Sequence, residues 1–202
     1  MIKAVIFDVG GVLIRTPDRS SREAWERKLG LSEWESEEIV FNGEMGKKAQ
    51  LGQISNDELW NWVGQRLALS ESQLYKFRRD FWAGDRLDAE LVTYIRSLRK
   101  YYQTAIISNA TDALRGELDV IHSITDAFDL IVVSAEEKIM KPNPLIYQRT
   151  LERLGRSAQE AVFVDDSQEN VMAAQDLGLV AVHFTSDMDV PSELAAVGVT
   201  VP

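Results

Sequence analysis

Apolar positions along this chain fall into two regimes. Residues 4–7, 104–108, 130–133, 161–165 and 180–184 are short, almost unbroken runs rich in Val, Ile and Ala. Such runs suit strands buried on both faces. Between the later runs lie stretches with helical periodicity, at about 87–101, 112–121, 144–154 and 168–177. Strand and helix in alternation predict an α/β fold, a parallel sheet of about five strands covered by helices on both sides.

The pattern from Pro17 to Gly84 is different: helices and no strong strand. One helix is expected over 18–29, with Trp25 and Leu29 four apart. Capping boxes are expected at Ser32–Glu35, Ser55–Glu58 and Ser70–Gln73. Leu59, Trp62, Val63 and Leu67 recur at helical spacing, as do Leu74, Phe77 and Phe81. All five tryptophans fall here, which reads as a thin helical unit filled by large rings rather than an aromatic ligand cage. Gly43, Gly46 and Gly52 make 42–52 read as a mobile connection. The first strand belongs with the later sheet, so the helical unit is an insertion that leaves from a strand end and can lie over a site there as a lid. The expected division is a core of 1–15 and 86–202 and a helical cap of 16–85. The tail after Met188 is weakly patterned and ends in a short element.

Bulk properties narrow the function. A formal charge of −10 argues against a nucleic-acid or anionic-membrane surface. It leaves room for an anionic small substrate where a lysine or bound metal reverses the local field. With no cysteine, thiolate metal sites, disulfides and a cysteine nucleophile are excluded. His122 and His183 lie far apart and read as surface or core-edge residues. No signal segment or membrane-spanning stretch is visible, so a soluble cytoplasmic monomer or homodimer is expected.

Polar residues gather at the strand ends. Asp8 ends the first run and is followed by Gly10 and Gly11, which allow a sharp turn and close approach of backbone to a ligand. Ser108 and Asn109 end the second run. Lys141 precedes a helix whose start is set by prolines. Asp165 and Asp166 end the fourth run, and Asn170 follows one helical turn later. In open α/β sheets, ligands bind beyond the carboxyl ends of the strands. A carboxylate, a hydroxyl, an ammonium and a carboxylate pair on one edge fit phosphoryl transfer through a covalent aspartyl-phosphate. A hard divalent cation, Mg²⁺, held by carboxylates would let the anionic nucleophile approach a phosphate.

The order Asp8, Ser108, Lys141, Asp165–Asp166 resembles the four motifs of the haloacid dehalogenase-like (HAD) hydrolase superfamily over nearly the whole chain. Phe-Asp-Val-Gly-Gly-Val-Leu, Ser-Asn, Lys-Pro-Asn-Pro-Leu-Ile-Tyr and Val-Asp-Asp-Ser-x-x-Asn-Val-x-x-Ala resemble in particular the branch with α-D-glucose-1-phosphate phosphatase and the phosphatase domain of soluble epoxide hydrolase. The resemblance implies a Rossmann-like core with a helical cap and a Mg²⁺-dependent phosphatase of a small phosphorylated metabolite such as a sugar phosphate. It implies Asp8 as nucleophile and metal ligand, the Gly10 carbonyl and Asp166 as further ligands, and Asp165 acting through the metal's water shell. Ser108, Asn109 and the Gly11 backbone would hold the phosphoryl group, Lys141 would brace Asp8 and phosphate, and Asn170 would support the metal loop or the substrate.

One position departs from the pattern. Most phosphatases of the superfamily carry a second Asp two residues after the nucleophile, as general acid and base; here it is Gly10. Three readings follow: a substrate with a good leaving group, a substitute such as a water or the cap residue Glu44, or a slow relative that binds rather than cleaves. A 2-haloacid dehalogenase also needs no such acid, but would not need the Asp165–Asp166 pair.

Overall fold

The computed structural model describes residues 1–201. Its main sheet has five parallel strands: β1 (Ala4–Phe7), β4 (Gln103–Ser108), β5 (Leu130–Val133), β6 (Ala161–Asp165) and β7 (Val180–His183), in the order β5-β4-β1-β6-β7. Two further strands, β2 (Ile14–Arg15) and β3 (Arg86–Leu87), pair antiparallel as a separate ribbon.

Alternate residues of each strand feed opposite layers. Val5, Phe7, Ile106, Val162 and Val164 join the helix Ala89–Leu98 and the C-terminal helix Val190–Ala196 in one cluster. Ala4, Ile6, Ala105, Ile107 and Phe163 join the helix Pro144–Leu154 and Ala174 in the other. With both faces covered, the strands carry no polar alternation. Local signals fix the helix ends. Asn143 accepts the Leu145 N–H at 3.0 Å, Pro144 opens the helix, and Gly155 closes it at φ +66°.

β1 lies in the middle of the sheet. Phe7 is level with Ile106 on one side and Val164 on the other. The next residue, Asp8, therefore stands beside Asp165, and its N–H donates to the Val164 carbonyl at 2.9 Å.

Helices between Ser20 and Phe81 build a third hydrophobic cluster of their own, with Trp25, Trp60, Phe77 and Phe81 buried. The β2–β3 ribbon is where the chain leaves the sheet layer for these helices and returns from them. The capping boxes at Ser55 and Ser70 both form. The one at Ser32 does not: Glu35 accepts the Ser32 N–H at 2.8 Å, but Trp34 sits at φ +68° and the helix starts only after it. In the helix Asn56–Arg66 it is Trp60, not Trp62, that is fully buried. The expected mobile connection at 42–52 is instead the helix Glu44–Gln50. Its glycine, Gly46, packs so closely on the preceding turn that a Cβ would lie 2.5 Å from the Val40 carbonyl oxygen. Missing side-chain bulk here permits close packing rather than mobility. Among the described residues, no helix is long and apolar enough to cross a membrane.

Candidate active site

At the carboxyl edge of the sheet, Asp8, Ser108, Asn109, Lys141, Asp166 and Asn170 all line one cavity of about 760 Å³. Its roof comes from the helical insertion, through Phe41, Trp60 and Trp82 among others.

The centre of the arrangement is an ammonium between two carboxylates. Lys141 Nζ lies 2.8 Å from Asp8 Oδ1 and 2.6 Å from Asp165 Oδ2. Lys141 is 1% exposed and Asp165 fully buried, a depth that ionised groups reach only when paired. Asp165 accepts three further hydrogen bonds, from the Ser167 N–H at 2.8 Å and from Asn170 Nδ2 at 3.0 and 3.2 Å. It is saturated by the protein and cannot move toward a substrate. Asn170 is fixed in turn, its carbonyl accepting from the Tyr147 hydroxyl at 3.1 Å.

Two amides are thus engaged by the charged residues of the site. The Asn170 side chain is spent on Asp165, on the metal-loop side of the two roles expected of it. The Asn109 side chain is spent on the Lys141 backbone, accepting its N–H at 2.7 Å and donating to its carbonyl at 2.8 Å. Both line the cavity, yet each acts by holding a charged neighbour in place. Ser108 is buried and lines the cavity. Glu44, the candidate substitute acid, is excluded by position: it is exposed, pairs with Lys48 at 2.6 Å and does not line the cavity.

Gly11 has a steric reason to be glycine. Its φ is +79°, and a Cβ there would lie 2.0 Å from Asp166 Oδ2. The Asp166 carboxylate occupies the place a side chain would take. The Asp166 carbonyl meets His183 Nε2 at 2.9 Å, so His183 is a partner of the loop and not a ligand. Asp8, Asp165 and Asp166 bring carboxylate oxygens within 4.8 Å of one another.

Three carboxylates here share one ammonium. Burial pushes the Asp8 carboxyl up, Lys141 opposes this and Asp165 adds to it, for a value of about 6. Burial and the Asp165 charge also raise Asp166. Burial works against the charge on Lys141, but Asp8 and Asp165 hold its ammonium above the usual range. Excess negative charge in a low-dielectric site, all on oxygen donors, fits a hard divalent cation and no softer ion.

Other lining residues gave no sequence signal. Arg22, Asp85, Glu117 and His122 face the same cavity from segments far apart in the chain. Burial raises the Asp85 and Glu117 carboxyls and lowers the His122 imidazole.

Comparison with known proteins extends the geometry. The model of the haloacid dehalogenase-like hydrolases matches residues 2–178. The chain is 30% identical over 193 residues to a sesquiterpene phosphatase of Aspergillus oryzae, covering 95% of this chain and 94% of that one. It is 25% identical over 210 residues to a D-ribitol-5-phosphate phosphatase of Bacteroides thetaiotaomicron, covering 98% of each. The fold matches, at TM-score 0.79 and 24% identity, a HAD family enzyme of Bacteroides thetaiotaomicron in complex with magnesium and inorganic phosphate, over 96% of this chain and 99% of that one. With most of its length matched by the family model and near-full-length likeness to a phosphatase, the chain belongs to the haloacid dehalogenase-like hydrolase family.

Proposed function

We propose that this protein is a Mg²⁺-dependent phosphatase that cleaves a small phosphomonoester through an aspartyl-phosphate on Asp8. The observation that carries the reading is the Lys141 ammonium held between Asp8 and Asp165, with Asp166 closing a three-carboxylate cradle at the strand ends. The named activities of the two phosphatase relatives support it.

Asp8, Asp166 and the Gly10 carbonyl would hold the Mg²⁺ ion, with Asp165 behind them. When bound, it supplies the positive charge that lets a carboxylate and a phosphate dianion meet. The Asp8 carboxylate attacks phosphorus and the ester P–O bond breaks. The leaving oxygen takes a proton from water, since Gly10 offers none. A water molecule then adds to the same phosphorus, the P–O bond to Asp8 breaks, and inorganic phosphate leaves. One water is consumed overall. Lys141 stabilises the charge that builds on the phosphoryl oxygens and keeps Asp8 oriented. The Ser108 hydroxyl binds one of those oxygens. Asn109 and Asn170 position Lys141 and Asp165.

The test is phosphate release from an acyl phosphate, with Mg²⁺ and with chelator. Asp8→Asn keeps the shape of the side chain and removes the nucleophile. Its turnover should fall by at least about 10³-fold, with an unchanged circular dichroism spectrum. Full activity in that variant, or chloride release from a 2-haloacid without metal, would overturn the assignment.

A further inference from the structure

The cavity above Asp8 measures about 760 Å³, far more than a phosphoryl group fills. At the ~30 Å³ that a water molecule occupies in the liquid, it has room for roughly 25 such volumes. Its floor is charged, but its walls are largely hydrocarbon. Phe41, Leu59, Trp60 and Trp82 come from the helical insertion, and Leu114 and Ile121 from the core. Phe41, Trp60 and Trp82 are the edge of one aromatic cluster, with the Trp82 centroid 5.7 Å from Phe41 and 6.4 Å from Trp60. Packing therefore holds these rings in place.

The mouth is apolar on both sides. Ile121 is 70% exposed and Trp82 39% exposed, the first from the core and the second from the end of the insertion. Large apolar side chains left open around a cavity mark a surface that an apolar ligand covers.

Most polar side chains low in the wall are engaged by the protein; those of Asn42, Glu117 and His122 face the cavity without a side-chain hydrogen bond. Arg22 donates to the Phe81 carbonyl at 2.7 Å, to Glu37 at 3.2 Å and to Asp85 at 2.9 Å. Thr16 donates to Asp85 at 2.7 Å, and Thr111 to Asn56 at 3.3 Å. The Gln50 amide donates to the Phe41 carbonyl at 2.7 Å. The hydrocarbon face of Phe41, Leu59, Trp60, Trp82, Leu114 and Ile121 offers a ring of sugar hydroxyls no partner. Among the described residues, the lysine and arginine side chains lining the cavity are Arg22 and Lys141, both matched to carboxylates, while Asp85 and Glu117 add negative charge. A second phosphate or a carboxylate on the substrate would meet repulsion and no counter-ion.

We infer that the substrate is the monophosphate ester of a largely apolar, uncharged alcohol, its phosphoryl group on Asp8 and its hydrocarbon body against Phe41, Trp60 and Trp82. This rests on the phosphatase reading and names its substrate class, in place of the sugar phosphate that the sequence resemblance implied.

The experiment is a kcat/KM series on n-alkyl phosphates of increasing length with Mg²⁺, beside a sugar phosphate, phosphoglycolate and the acyl phosphate. Each added methylene should raise kcat/KM about four-fold until the cavity fills. Trp82→Ala, a half-exposed position, should flatten that slope. Glu117→Lys should raise kcat/KM on phosphoglycolate at least about ten-fold, an effect a structural role would not give. A flat alkyl series, or preference for the sugar phosphate or phosphoglycolate, with the acyl phosphate still cleaved, overturns the inference and leaves the phosphatase reading intact. Release from none of them, acyl phosphate included, overturns both.

Discussion

Gly10 and Gly11 are neighbours with opposite constraints. Gly11 cannot carry a side chain, because Asp166 fills the space and φ is positive. At Gly10 the backbone is outside the left-handed region, and a Cβ would meet nothing within 4 Å. The missing acid is therefore not excluded by shape. Gly10→Asp is expected to fold normally and to raise turnover of alkyl phosphates, which have poor leaving groups, by up to about 10²-fold, the low end of general-acid help. The acyl phosphate, whose leaving group needs no proton, should change little. Comparing kcat on the alkyl ester and the acyl anhydride checks this. The residues bearing charge at the strand ends were legible in the sequence because each abuts an apolar run. The bond from Asn109 to Lys141 was not, and Asn170 was narrowed only to the metal loop or the substrate, since an amide near a charged residue reads alike whether it faces substrate or a neighbour. Only the distances to Lys141 and Asp165 separate the two.

Among elements, the five strands and the helix Pro144–Leu154 were legible to within a residue or so, because buried parallel strands are continuous and proline and glycine mark the helix ends. The helix Glu44–Gln50 was not. Glycine count argued for a break, whereas Gly46 packs against the Val40 and Phe41 carbonyls. Propensity and packing make opposite forecasts at this position. Alanine is the better helix former by about 1 kcal/mol, but its methyl would press on backbone oxygen 2.5 Å away. Packing dominates: Gly46→Ala should destabilise the protein by about 1–3 kcal/mol in urea unfolding. The paired β2–β3 ribbon also went unread, since two-residue strands carry no periodicity.

On the scale of the whole molecule, a buried charge network ties the insertion together beneath the cavity roof. Arg19 grips Glu37 with Nε at 2.7 Å and Nη2 at 2.9 Å, and Arg22 adds a bond to Glu37 at 3.2 Å and one to Asp85 at 2.9 Å. Burial alone would raise the Glu37 pKa, but the hydrogen bonds from Arg19, then Ser36 and Arg22, outweigh it and hold the carboxyl at about 2. The folded value is below the unfolded one. Its stabilisation is therefore complete above pH 4.5 and lost as pH falls from there toward 2. Glu37→Gln should cost about 2–3 kcal/mol at pH 7, and the gap to the wild type should close on acidification. Thermal unfolding across that range checks it. None of the arginine pairings was legible, because each joins segments more than a dozen residues apart.

The middle position of β1 also sets the order in which the chain can be completed during synthesis. Its two neighbours are β4 and β6, so the strand carrying Asp8 emerges first and is fully flanked only after Asp165 has left the ribosome. The helices between Ser20 and Phe81 meet mostly one another and can close their own cluster long before. The nascent protein thus holds every residue of its roof cluster before those of its floor, and its hydrolytic centre is among the last parts to be completed.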